Sequence, residues 1–107
     1  MSVGSDEFIK IIRNMTHTDC ARRAEAADAS VDWPEAYDED ARSALAMVLV
    51  GLAVAESDAV AQEAQLNALA TLAGISSLPR TAVVWLTSMD REALSGSSVD
   101  HWEELTG

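Results

Sequence analysis

The sequence predicts an all-α fold, a compact antiparallel stack of five to six short helices around a central apolar helix. Three observations predict it. Apolar residues recur at three- and four-residue intervals in one segment after another. A Ser, Thr or Asp able to cap a helix precedes most of those segments. Alanine, the strongest helix former, supplies much of an apolar content of 49%. Because alanine buries little area, such helices must pack closely, with thin side-chain layers between them.

The elements follow in order. Ser5 caps a first helix over 6–15, with Asp6 and Glu7 in its first turn and Phe8, Ile11, Ile12 and Met15 at helical spacing. Thr18 caps a second, 19–29, and Trp33-Pro34 ends it, since the residue before proline is pushed out of the α region. Asp38 opens the third, 39–56. Its run from Ala44 to Ala55 is apolar on every side, which places it at the centre of the domain. Gly51 within it lets a neighbouring helix approach, at about 1 kcal/mol relative to alanine.

Ser57 caps the fourth helix, 58–73, and Gly74 takes the left-handed position beyond its end. Leu66, Leu69, Ala70 and Ala73 form its apolar stripe, and Glu63, Asn67 and Thr71 its polar line. Gln62 lies at the edge. Pro79 begins a fifth helix running to Ser88, and 90–94 forms one more turn. Residues 95–98 are a flexible link, and Ser98 caps a last helix, 99–105. The chain is a single domain, 1–107.

Composition narrows the function. A net charge of −11 on 107 residues repels nucleic-acid phosphates and anionic lipid, and draws basic partners from a distance. The first ten residues lack the basic and apolar regions of a signal peptide. The longest apolar run is about half the roughly 20 residues of a membrane span. One cysteine, Cys20, gives no internal disulfide. A cytoplasmic protein is expected.

Chemistry finds little footing. His17 and Cys20 stand as H-x-x-C without a second pair, and His101 is alone, so no metal or cofactor is expected. Asp19 disfavours a Cys20 thiolate, partly offset by Arg22 and Arg23, and Cys20 is expected as a small buried residue. The carboxylates are many, but no pocket is legible that would desolvate one. Catalysis is not expected.

Charge placement says more. No basic residue lies between Arg23 and Arg42, whereas Glu25, Asp28, Asp32, Glu35, Asp38, Glu39 and Asp40 are acidic, with Trp33 and Tyr37 within that stretch. A second mixture, Asp100, Trp102, Glu103 and Glu104, sits on the last helix. An interface with a basic protein uses such sets, the aromatic as buried anchor and the acids for steering. Alternatively, both tryptophans fold back as lids on the core.

Two helix starts, Asp38-Glu39-Asp40-Ala41-Arg42-Ser43-Ala44 and Asp58-Ala59-Val60-Ala61-Gln62-Glu63-Ala64, resemble the second helix of a HEAT-type repeat. Twenty residues apart, they are too close for full repeats of about 40 and are expected as consecutive antiparallel helices of a HEAT-like stack. Over 38–105, Glu56-Ser57-Asp58, Gln62-Glu63 and the leucine-rich 66–72 are similar to small bacterial immunity proteins of polymorphic and contact-dependent growth-inhibition toxin systems. That resemblance implies a stoichiometric inhibitor, monomeric in its complex, that plugs a basic toxin domain, often a nuclease. The other reading is a helical adaptor, secretion chaperone or subunit of a larger assembly.

Overall fold

Aspartate carboxylates start three of the helices. In the computed structural model, which describes residues 5–94 and 96–107, α1 spans Ser5–Met15, α2 Cys20–Ser30, α3 Glu39–Ala55, α4 Ala59–Ala73, α5 Arg80–Thr87 and α6 Gly96–Thr106. Short 3-10 turns, Pro34–Ala36 and Arg91–Ala93, precede α3 and α6. Among the described residues there is no strand, as the sequence predicts.

The Asp38 carboxylate accepts from the Ala41 amide at 2.7 Å, as expected. Elsewhere the cap sits one residue later than the sequence suggests. Asp19, not Thr18, accepts from the Ala21 amide at 3.0 Å, and Asp58, not Ser57, from Ala61 at 2.9 Å. A carboxylate is the stronger acceptor and also complements the positive end of the helix dipole. The expected Ser5 cap falls outside the described side chains, as does Ser95 of the expected link. Ser98 caps nothing: α6 already begins at Gly96, and Ser98 is buried in its first turn. Gly74 keeps right-handed angles (φ −72°) and ends α4 by donating to Ala70 O.

Short links fold α1 back on α2, α3 on α4 and α5 on α6. α2, α4 and α6 lie side by side as one layer; α3 packs on α4, α5 bridges α3 and α6, and α1 lies against α2. The molecule is 40 × 30 × 19 Å, and its least extent is that of two helix layers at the usual spacing of about 10 Å. This is a stack of helix pairs, and its centre is α4 rather than α3.

The reason lies in what counts as apolar. Much of the α3 run is alanine or glycine, which tolerates water, and the helix leaves Ala44, Val54 and Ala55 exposed. A Cβ at Gly51 would meet nothing within 4 Å, so no helix approaches there. α4, broken in sequence by glutamines, buries Ala61, Ala64, Gln65, Leu66, Ala68, Leu69 and Leu72 against three neighbours. Leu45, Leu49, Val50, Met15 and Leu86 complete the core around it.

Candidate functional site

The link between α2 and α3 is anchored from inside. Pro34 is buried, and Tyr37 is 4% exposed. The Tyr37 hydroxyl donates to Ser30 O at 2.7 Å, and its ring meets Phe8 edge-on at 6.2 Å. An Arg42 N–H to Tyr37 O closes the link against α3. Trp33, immediately before Pro34, is left 78% exposed. With both neighbouring anchors fixed, an indole on the surface is held by a rigid turn, which lowers the entropy cost of using it as a contact.

Asp32, Glu35, Asp38, Glu39 and Asp40 are all exposed in this region. Asp38 is shared with its capping role. Tyr37, expected at the contact surface, is instead part of the core: its hydroxyl finds a backbone carbonyl inside, so burial leaves no polar group unpaired.

The C-terminal set does not form a second such surface. Trp102 is half-buried, packs on the core and donates its indole N–H to Leu86 O at 2.6 Å. It is a lid, the alternative the sequence left open. Glu103 is paired with Arg91, Nε to Oε1 at 2.8 Å. Asp100 and Glu104 are exposed carboxylates, while Trp102 between them packs on the core.

A shallow groove lies between α2 and α4, lined by Ala24, Asp28, Val60, Glu63, Ala64 and Asn67. Val60 is 71% exposed. The Asp28 carboxyl is pushed up from its ordinary value, by partial burial first and then by the charges of Asp32 and Glu63. The sequence does carry a signal for this groove. Val60 stands three residues before Glu63, at the head of the polar line Glu63, Asn67 and Thr71. Asp28 follows Ala24 one turn on along α2, and Asp32 lies just beyond that helix's end.

His17 and Cys20 make no joint site. His17 Nδ1 accepts from the Asp19 amide at 2.9 Å, and Cys20 is half-buried at the first position of α2 rather than enclosed. Among the described residues no three His, Cys, Asp or Glu side chains converge as metal ligands, and no helix is long and apolar enough to cross a membrane. Comparison with protein-family models, curated proteins and solved structures returned no match.

Proposed function

We propose that the protein binds a cognate basic protein domain in a one-to-one complex, acting in the cytoplasm as an immunity protein that neutralises a toxin domain. One observation carries this reading: Trp33, 78% exposed, stands on a fixed turn among Asp32, Glu35 and Asp38 to Asp40. The indole supplies an anchor that desolvates on contact, and the carboxylates supply long-range attraction to a positive surface. A toxin domain that acts on phosphates would present such a surface, and the acids would occupy it in the phosphates' place. The reading assigns the chain no catalytic step and no cofactor.

The test is co-expression with the product of the adjacent upstream gene and capture of the complex. Retention that weakens between low and high salt, and is lost in Trp33→Ala, supports the reading. Failure of any basic domain encoded there to bind removes it.

A second reading, a subunit or adaptor of a larger assembly, draws on α5. Val84 and Trp85 are 59% and 44% exposed on that short helix. It expects stable self-association or co-purification that persists in high salt, as apolar contacts do and charged ones do not.

A further inference from the structure

Resting on the reading of the protein as a binder of a basic domain, we propose that the α2–α4 groove receives one amphipathic basic helix of that partner. Its apolar side chain packs on Val60, and its Lys or Arg side chains sit among Asp28, Asp32 and Glu63.

The floor is the first argument. Ala24 and Ala64 carry nothing beyond Cβ, so a third helix can approach α2 and α4 at the usual 8–10 Å or so between axes. Along α4, Val60, Glu63 and Asn67 fall at i, i+3 and i+7, a line about 10 Å long at 1.5 Å per residue. Along α2, Ala24 and Asp28 stand one turn apart, and Asp32 follows just beyond the end of that helix at Ser30. The groove is therefore ruled at the period of a helix.

Charge is the second. No lysine or arginine lines the groove. The nearest cations in sequence are engaged elsewhere: Arg23 holds Glu56, and Arg22 lies in the cleft between α1 and α2 with Asn14 and Glu25. Asp28 and Glu63 thus line the groove without a counter-charge, and Asp28, its carboxyl pushed up by partial burial first, also feels Asp32 and Glu63. A cation entering between them gains from all three.

Val60 distinguishes a helix from a flexible basic tail. A disordered arginine-rich segment satisfies the acids but offers nothing to an isolated exposed valine. An amphipathic helix presents apolar and basic residues three and four apart, matching Val60 and Glu63.

The experiment uses the full-length, isotopically labelled chain and a synthetic peptide of Leu, Ala and Arg designed as an amphipathic helix. A scrambled peptide of the same composition is the control. Amide shifts at Ala24, Asp28, Val60, Glu63 and Asn67 on titration, and about tenfold weaker binding in Val60→Ser and in Glu63→Lys, support the groove. Both positions lie on the wet side of α4, and circular dichroism checks that each variant folds.

Equal binding of the scrambled peptide, or shifts confined to other surfaces, overturns it. So does concentration-dependent shifting of the same amides without peptide, which would mark a second copy of the chain as the occupant. The groove and the broader reading fail separately. A natural partner that is lost with Trp33→Ala but kept at full affinity with Val60→Ser and Glu63→Lys removes the groove alone. Absence of any basic partner removes the function on which it rests.

Discussion

Arg23 and Glu56, 33 residues apart, meet as a two-pronged ion pair, Nε to Oε1 and Nη2 to Oε2, both at 2.8 Å. The remaining guanidinium nitrogen donates to His17 O and Thr18 O, each at 2.9 Å. Glu56 also accepts from Gln65 Nε2 at 2.9 Å and from the Asp58 amide at 3.1 Å. One pair therefore fastens the α1–α2 link to the α3–α4 link and to the centre of α4. The side chains are only 18% and 4% exposed, so this is not an ordinary surface bridge.

Removing the carboxylate should be costly. Glu56→Ala leaves a largely buried guanidinium unpaired and the Gln65 amide without its acceptor, for a loss of about 3 kcal/mol in urea unfolding at neutral pH. The pair also sets a pH dependence. The bonds from Arg23, above all, hold the Glu56 carboxyl at about 2 against an ordinary 4.5. Its contribution is complete above about pH 5 and is lost as pH falls toward the folded value. In Glu56→Gln the stability-against-pH curve should flatten across that window. A curve with the wild-type slope would deny Glu56 this role.

The two tryptophans should separate stability from binding. Trp33→Ala removes an indole that packs on little, so unfolding should shift by no more than about 0.5 kcal/mol. Loss of partner binding should exceed about 2 kcal/mol, measured by calorimetry on the captured complex. Trp102→Phe deletes the donor to Leu86 O inside the molecule and should lower stability by about 1 kcal/mol, leaving that affinity unchanged.

Helix existence was legible because alanine content, stripe spacing and a nearby capping residue agree at most segments, even where the cap itself lies one residue on. The centre was not, because alanine and glycine satisfy an apolar pattern without requiring burial, as α3 demonstrates. Gln65 belongs to neither the apolar stripe nor the polar line of its helix, yet it is buried, its amide bonded to Glu56 on the preceding link. The site was half legible. Acid placement marked the Trp33 turn, but nothing local distinguishes Trp33 from Tyr37 or Trp102. Their fates depend on whether a carbonyl, Ser30 O or Leu86 O, waits inside. The α2–α4 groove needs two helices brought together, which no single periodicity reveals.

Tyr37→Phe tests whether the turn beneath Trp33 is held from within. The hydroxyl to Ser30 O is a buried bond to backbone, so its loss should cost about 1 kcal/mol and lower Tm by roughly 4–8 °C. Affinity for the partner should fall only modestly, since the ring still packs against Phe8. A large loss of affinity with no change in Tm would return Tyr37 to the contact surface.

Asp28→Asn should stabilise the protein, the reverse of the Glu56 case. Burial, then Asp32 and Glu63, raise the Asp28 pKa in the folded chain, so its ionised form is less favourable there than in the unfolded chain. That penalty is present at neutral pH and disappears as pH falls below the ordinary value of 3.8, where both states are protonated. Because the side chain is largely solvated, the gain at neutral pH should be a few tenths of a kcal/mol. Urea melts of Asp28→Asn and wild type should therefore differ at pH 7 and converge in acid. The same substitution should weaken binding of a basic helix in the groove, since it removes one of the three carboxylates that attract it. Unchanged peptide affinity with raised stability would mean that Asp28 is strained by its neighbours but does not meet the partner.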